Sequence, residues 1–194
     1  KELGITAMAH LTCVGATEAA LAEEVRGLTA AGIENILALR GDPPKGEDTF
    51  KAHAGGFAHA TDLIEFLTAE SHVSIGGACY PEGHVESTSH EEDLRWTKVK
   101  VDKGASFLIT QLFFDNSRYF DFVKRARAAG IKVPIIPGIM PITNVAQVER
   151  FTQMCGASIP QELRARLERV KDDPALVMAT GTNAELLTLS GPRN

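Results

Sequence analysis

The chain has 194 residues, of which 44% are hydrophobic, and a formal net charge of −5 at pH 7. This length suits a single domain with a sizeable core, and we expect residues 1–194 to form one. The acidic balance and the lack of a Lys/Arg run argue against nucleic acid as a partner. No stretch reaches the length of a membrane span and no signal peptide is visible, so we expect no membrane partner.

The three cysteines, Cys13, Cys79 and Cys155, are odd in number and lie far apart without a C-x-x-C motif. This pattern is typical of reduced thiols in a reducing compartment, and we therefore expect a cytoplasmic protein. The chain begins at Lys1 and not at a methionine. We expect it to be a segment of a longer protein.

Strands and helices are predicted to alternate along the chain. Short apolar runs predict five strands, at Thr6–Thr12, Asn35–Leu39, Val73–Cys79, Phe107–Thr110 and Val133–Ile136. Apolar residues at helical spacing predict helices over 17–32, 58–70, 89–103 and 117–129, followed by helices from about Asn144, Pro160 and Pro174. The string Ala-Ala-Gly-Ile occurs at 30–33 and at 128–131, where a glycine cap would end a helix.

The strands recur at the spacing of βαβ units. Five such units fit either a doubly wound parallel sheet or a (β/α)8 barrel. Because five strands cannot close a normal barrel, the barrel interpretation requires strands that lie outside this chain.

Polar residues follow or end four of the predicted strands. The second strand stops on Arg40, Gly41 and Asp42, and the full set is His10, Arg40, Asp42, Tyr80, His84 and Gln111. If the strands are parallel, these side chains face one rim, which is where α/β folds place their chemistry. The alternatives are an Arg-Asp pair that closes a loop, and strand ends that mark only the passage from buried to exposed chain.

The helix after Ser89 carries two stripes of residues at helical spacing. The first is predicted to face the core: Leu94, Thr97 and Val101. The second combines an acid, a large ring and a cation, and could line the polar tail of a cofactor: Asp93, Trp96 and Lys100. The alternative is an exposed face on which Trp96 acts as a partly buried cover.

Several familiar motifs are absent. The sequence has no G-x-G-x-x-G and no Walker A loop, so the phosphates of a cofactor would be held by other means. The histidine and cysteine spacings match no zinc pattern, and we predict no metal site. No serine elbow or Cys-His motif indicates a covalent nucleophile.

Six motifs occur in an order that resembles the methylenetetrahydrofolate reductase family. They are His10-Leu-Thr-Cys13, Ala38-Leu-Arg-Gly-Asp-Pro43, Gly55-Gly-Phe57 with Asp62-Leu63, Tyr80-Pro-Glu-Gly-His84, Thr110-Gln-Leu-Phe-Phe-Asp115 and Pro137-Gly-Ile-Met-Pro141. The resemblance runs from about Ala9 to about Asp173. It implies an α/β fold, a (β/α)8 TIM barrel, present here as an incomplete barrel of about five βα units that correspond to barrel strands three to seven.

The resemblance also implies an activity. NAD(P)H would reduce a bound FAD and leave, and methylenetetrahydrofolate would then accept the hydride and become methyltetrahydrofolate. We therefore expect FAD as the cofactor, methylenetetrahydrofolate and NAD(P)H as partners, and a homo-oligomer.

Residue roles carry over by motif position. The resemblance implies FAD contacts from His10, Arg40, Gly41, Asp42, His59, Tyr80, His84, Asp93, Trp96 and Lys100, although the family has a tyrosine where this chain has His59, and Trp96 stands at a variable position. Asp42 would lie near the pyrimidine edge of the flavin and tune its potential. Gln111 would hydrogen-bond the pterin, and Asp42 and Gln111 are the two expected catalytic residues. Contacts to the substrate or nicotinamide are implied for Gln111, Leu112, Gln147 and Phe151.

The family pattern is incomplete in this chain. The family's general acid is a glutamate on the first barrel strand, and the first, second and eighth strands have no counterpart between Lys1 and Asn194. General acid catalysis is typically worth about 10²–10⁴-fold, so we expect this exact chain not to turn over.

Two other functions stay open at this point. The chain could be a reductase-like binding or scaffold module that needs a partner, because an open barrel exposes two sheet edges. It could also be a different flavin- or phosphate-binding barrel enzyme. The combination of Gln111, Gln147 and Phe151 speaks against the latter, since the resemblance links these residues to folate and nicotinamide.

Overall fold

A computed structural model describes residues 4–43, 46 and 49–189 of the chain, with side chains described as far as residue 181. Its strands are Met8–Thr12 (β1), Asn35–Leu39 (β2), Ser74–Cys79 (β3), Phe107–Thr110 (β4) and Ile135–Ile136 (β5). Its helices are Glu18–Ala30 (α1), Ala60–Glu70 (α2), His90–Asp102 (α3), Asn116–Ala128 (α4), Val145–Cys155 (α5), Gln161–Val170 (α6) and Pro174–Leu189 (α7). Within the described residues, no helix has both the length and the apolar character needed to cross a bilayer.

The order of the strands decides between the two predicted folds. The sheet runs β1-β2-β3-β4-β5, and the pairs β1–β2 and β2–β3 are parallel. A doubly wound sheet reverses its strand order at a switch point, and this sheet does not. Because crossover connections are right-handed, a sequential order places the successive helices on one side of the sheet. The prediction of a barrel-type α/β fold with five βα units is therefore confirmed.

Local signals predicted the helix ends well. The Thr17 hydroxyl accepts a hydrogen bond from the Ala20 N–H at 3.2 Å and caps α1, and Asn144 caps α5 through the Gln147 N–H at 2.9 Å. Such caps are worth about 1 kcal/mol each. The repeated Ala-Ala-Gly-Ile string ends both α1 and α4, with φ of 80° at Gly32 and 81° at Gly130.

The residues group into two compact units, which are described separately. The sheet unit comprises Lys1–Ala78, Arg95–Ile109 and Ile131–Ile135, and the helical unit comprises Cys79–Leu94, Thr110–Gly130 and Ile136–Asn194. In the sheet unit, α1 and α2 pack their apolar stripes on β1, β2 and β3. The core residues there include Leu11, Leu21, Val25, Ile36, Leu63, Leu67 and Ile75.

The helical unit has its own core. It joins the segment after β5 to α5, α6 and α7 through Ile142, Val148, Leu163, Leu167 and Val177. Gly181 allows α7 to approach closely, since a Cβ at this glycine would lie 2.5 Å from Ile142 Cβ.

The register of the sheet separates its two faces. Leu11 pairs with Ala38, and Ile36 pairs with Ile75; these residues belong to the core formed with α1 and α2. Because side chains alternate along a strand, His10 and its register partner Leu37 lie on the opposite face. In a barrel, that face is the interior.

Candidate functional site

In the sheet unit, the turn after β2 presents Arg40, Gly41 and Asp42. The Arg40 guanidinium lies over the Phe50 ring, 5.0 Å from its centroid, and Arg40 Nε donates to the Gly41 carbonyl at 3.4 Å. Gly41 has φ of 88°, and a Cβ here would lie 2.8 Å from Val14 Cγ1. The tight turn therefore requires glycine, and it leaves Asp42 exposed.

Cys13 hydrogen-bonds to the end of β2 and to this turn. Its side chain is fully buried, its Sγ donates to the Arg40 carbonyl at 3.2 Å, and its N–H donates to the Leu39 carbonyl at 3.2 Å. Burial raises the pKa of the Cys13 thiol, and the charge of Asp62 adds to this effect against the opposing backbone hydrogen bond and Arg40. The sequence predicted a reduced thiol but not its contact with the turn.

His10 was expected at the end of the first strand, and this is wrong. It is the third residue of β1, two positions before the strand ends. It is exposed and, as the register shows, stands on the face opposite α1 and α2. The strand ends at Thr12, as predicted, so His10 is followed by two further strand residues, Leu11 and Thr12.

Lys100 reaches the end of β3 from α3. Its Nζ donates to the Ala78 carbonyl at 2.7 Å. A Cβ on Gly77 would stand 3.5 Å from Lys100 Cδ, so the lysine stem runs past this small residue. Because β2 and β3 are neighbouring parallel strands, Arg40 and Lys100 both bring positive charge to the carboxyl edge of this part of the sheet.

His59 and Trp96 meet, although they are 37 positions apart in the sequence. Their rings are stacked with centroids 6.1 Å apart and an interplanar angle of 22°, and the Arg95 guanidinium lies 4.6 Å from the Trp96 centroid. His59 precedes α2, where its N–H donates to Asp62 Oδ2 at 3.0 Å. Trp96 is 38% exposed, so the pair forms a partly exposed flat surface.

The predicted faces of α3 need correction. Thr97 is fully buried as expected, but Asp93 is only 5% exposed, whereas Leu94 and Val101 are half-buried. The Asp93 N–H donates to the Ser89 carbonyl at 3.1 Å in the first turn of the helix. Asp93 and Thr97 are four apart and share a face, so the most buried face of α3 is polar.

In the helical unit, the turn after β3 brings Tyr80 and His84 together. Their rings meet edge to face with centroids 4.7 Å apart. The Gly83 N–H donates to the Tyr80 carbonyl at 3.1 Å, and the Glu86 N–H donates to His84 Nδ1 at 3.1 Å. The first bond closes a turn after β3, the second orients the His84 ring, and the ring contact holds Tyr80 beside it.

Gln111 directly follows β4, as predicted. Its N–H donates to the Cys79 carbonyl at 2.8 Å, and its side-chain Oε1 accepts from the Leu112 N–H at 2.9 Å. This second bond orients the carboxamide, so its NH2 is the group presented as a donor.

Gln147 and Phe151 lie four apart on α5 and therefore share one face, as predicted. Gln147 is exposed and Phe151 is half-buried. The Arg150 guanidinium lies 5.6 Å from the centroid of the Phe151 ring.

The sequence did not single out Glu82 or Ser158, which the structure joins. Ser158 donates to both carboxylate oxygens of Glu82, from its N–H at 3.0 Å and from its Oγ at 2.5 Å. Glu82 lies inside the motif Tyr80-Pro-Glu-Gly-His84, and its place there was the only signal. Among the described residues, no three His, Cys, Asp or Glu side chains form a group that could hold a metal ion.

Comparison with known proteins places the chain in a family. The family model described as methylenetetrahydrofolate reductase matches residues 1–190. Methylenetetrahydrofolate reductase 2 of Saccharomyces cerevisiae is 42% identical over 185 residues, which cover 93% of this chain and 31% of the yeast protein. The 5,10-methylenetetrahydrofolate reductase of Escherichia coli is 38% identical over 180 residues, which cover 93% of this chain and 59% of that protein.

A solved structure supports the fold. The protein from Clostridium thermocellum, described as binding two copies of 5-methyl-5,6,7,8-tetrahydrofolic acid, superimposes with a TM-score of 0.58 at 18% identity. The match covers 97% of this chain and 64% of that one. The chain spans less than two thirds of the length of these relatives. On its sequence, the chain belongs to the methylenetetrahydrofolate reductase family.

Proposed function

We propose that the protein carrying this chain reduces 5,10-methylenetetrahydrofolate to 5-methyltetrahydrofolate, with FAD as cofactor and NAD(P)H as hydride donor. The observation that carries this proposal is the family match over residues 1–190, which includes the polar residues that follow β2, β3 and β4. Relatives named for this reductase activity occur in yeast and in Escherichia coli. We do not choose between NADH and NADPH as the hydride donor, because relatives are named for NADH in rice and for NADPH in Caenorhabditis elegans.

The residues of the sheet unit fit a dinucleotide cofactor. Arg40 and Lys100 supply two cations at the carboxyl edge of neighbouring strands, which suits a pyrophosphate. Gly41 lets the backbone turn where a Cβ has no room, and the His59–Trp96 pair offers a flat aromatic surface. When bound, FAD supplies the redox chemistry and passes a hydride from NAD(P)H to the folate.

In this proposal, the charged residues near β2 set the electrostatics of the cofactor. Arg40 and Lys100 balance the charge of its polar tail, and His10 contacts it from the interior face of β1. The Asp42 carboxylate disfavours negative charge on the pyrimidine edge of the ring, which lowers the reduction potential. The exposure of Asp42 supports a role in contact with a ligand.

For residues of the helical unit, the proposed roles carry over one residue at a time from the family resemblance. Tyr80, His84 and Asp93 contribute hydrogen-bonding groups toward the cofactor. Gln111 donates its amide N–H to the pterin, an orientation supported by the bond from Leu112 to its oxygen. Leu112 packs against the substrate, while Gln147 and Phe151 contact the folate or nicotinamide from one face of α5.

The first test is the visible spectrum of the purified protein that carries this chain, after FAD is added and the excess removed. We expect a retained flavin band that NADH or NADPH bleaches without oxygen and that methylenetetrahydrofolate restores. Arg40→Met is expected to weaken flavin retention by about tenfold or more, since it removes a charge-assisted contact worth about 1.5–3 kcal/mol.

The matched control is Arg26→Met, which removes an exposed arginine on α1 and is expected to retain flavin like the wild type. A wild-type protein that never takes up FAD, or a flavin that NAD(P)H does not bleach, would contradict the proposed function. A homo-oligomeric state, a cytoplasmic location and the general-acid glutamate of the family's first strand stay predictions.

A further inference from the structure

Two loops of the helical unit are joined by a double hydrogen bond. The Glu82 carboxylate accepts the Ser158 N–H at Oε1, at 3.0 Å, and the Ser158 hydroxyl at Oε2, at 2.5 Å. Glu82 lies in the turn after β3, and Ser158 lies in the connection between α5 and α6. Hydrogen bonds to an ionised carboxylate are among the stronger ones in proteins.

A second contact joins the same two loops. Gly156 ends α5 in the left-handed conformation, with φ of 73°. A Cβ at this position would lie 2.7 Å from Val85 Cγ1. The turn after β3 therefore packs closely against the carboxyl end of α5, and the Glu82–Ser158 bonds lie at the same junction.

The turn that carries Glu82 is held together internally. The Gly83 N–H donates to the Tyr80 carbonyl at 3.1 Å, and the Ser87 N–H donates to the His84 carbonyl at 2.9 Å. The first bond closes a turn that contains Glu82 and so fixes its backbone relative to Tyr80, and the second continues the hydrogen-bonded turn from His84. On the other side of the junction, Ser158 lies three residues beyond the end of α5, the helix that carries Gln147 and Phe151.

We propose that Glu82 is a positioning residue that fixes α5, and with it Gln147 and Phe151, relative to the turn of Tyr80 and His84. The inference rests on the proposed function, in which Tyr80 and His84 contact the cofactor while Gln147 and Phe151 contact the folate or nicotinamide. In this proposal Glu82 acts through its bonds to Ser158 and not through contact with either ligand. Its effect passes through the α5–α6 connection, so its loss should weaken substrate binding more than the chemical step.

The test compares Glu82→Ala with the wild type in the flavin-loaded protein. We expect the KM for methylenetetrahydrofolate and the Kd for methyltetrahydrofolate by calorimetry to rise about fivefold. The kcat and the retained flavin are expected to stay within about twofold. Hydrogen exchange at the Ser158 N–H should accelerate, which reports directly that the bond is broken.

Three further variants make the test specific. Glu82→Gln keeps a side-chain oxygen that can accept the Ser158 N–H and should recover part of the loss. Ser158→Ala removes only the hydroxyl bond and should give a KM between those of the wild type and Glu82→Ala. If Glu82→Ala does not fold, the KM of Ser158→Ala tests the inference in its place. Glu162→Ala removes an exposed carboxylate in the first turn of α6 and should behave as the wild type.

The outcomes separate this inference from the proposed function. An unchanged KM and Kd in Glu82→Ala, despite faster exchange at Ser158, would overturn the inference and leave the function intact. A parallel fall in kcat, flavin retention and melting temperature would also overturn it, because it would indicate general destabilisation. A wild-type protein that binds flavin but no folate would overturn the proposed function itself, and the inference with it.

Discussion

At the scale of single residues, the turn after β2 depends on a glycine and on a buried thiol. Gly41 has φ of 88° and lies against Val14, and Cys13 donates to the Arg40 carbonyl. Neither residue carries a charged group, yet the two together determine the path of the chain from Arg40 to Asp42 at the end of β2. The sequence placed Gly41 where the second strand stops, while the contact with Cys13 required the structure.

Replacing Gly41 by alanine tests this arrangement. A Cβ would lie 2.8 Å from Val14 Cγ1, and residues other than glycine rarely adopt this backbone conformation. We therefore expect the unfolding free energy to fall by about 1–3 kcal/mol. Urea denaturation measures it. Gly27→Ala is the matched control, because Gly27 lies inside α1 with nothing near its missing Cβ, and it should stabilise the protein by about 0.5–1 kcal/mol. Equal effects of the two substitutions would contradict the argument.

The raised pKa of the Cys13 thiol predicts a pH dependence of stability. Burial raises this pKa above the ordinary value of 9.0, so above about pH 9 the unfolded chain loses a proton that the native protein keeps. The unfolding free energy of the wild type should therefore fall, relative to that of Cys13→Ser, as the pH rises from 8 to about 10. Urea denaturation at several pH values checks this, and parallel curves for the two proteins would contradict it.

At the scale of elements, α3 departs from the usual amphipathic pattern. Of the α3 residues that the sequence analysis assigned to two stripes, Asp93 and Thr97 are the most buried, at 5% and 0% exposure. Leu94 and Val101 are only half-buried. Among the described residues, the Thr97 hydroxyl has no hydrogen-bond partner. The buried face of such a helix cannot be assigned correctly from periodicity, because periodicity assumes that the apolar stripe is the buried one.

Thr97→Val should therefore stabilise the protein. Valine has nearly the same shape as threonine and removes a buried hydroxyl that has no partner within the described residues, so we expect the unfolding free energy to rise by about 1 kcal/mol. Thr152→Val is the control, because the buried Thr152 hydroxyl donates to the Glu149 carbonyl at 2.9 Å and its loss should destabilise by about 1 kcal/mol. Destabilisation by Thr97→Val in calorimetry would show that the hydroxyl has a partner after all.

At the scale of the whole molecule, the sheet order is the decisive feature. The sequence predicted all five strands, and β2 and β4 have the predicted bounds. Its βαβ spacing fitted either a doubly wound sheet or a barrel, because both are built from the same units, and the family resemblance implied the barrel. The order β1-β2-β3-β4-β5 removes the first alternative.

The site was predicted in parts. Arg40, Tyr80 and Gln111 each directly follow a strand, as expected, because a strand end is marked locally by a change from apolar to polar residues. His10 was misplaced because it was counted among the strand-end residues, although Leu11 and Thr12 follow it in β1. The pairs His59–Trp96 and Glu82–Ser158 were not predicted, since their members are 37 and 76 positions apart and share no local pattern.

The sequence by itself determined the succession of strands and helices, their caps and the residues at the strand ends. These features depend on interactions within a few residues, such as the Thr17 cap and the glycines that end α1 and α4. Only the tertiary structure decided the strand order, the face on which His10 stands, the burial of Asp93 and the bond between Glu82 and Ser158. Each of these depends on contacts between residues distant in the chain, which a single sequence does not encode in any local period.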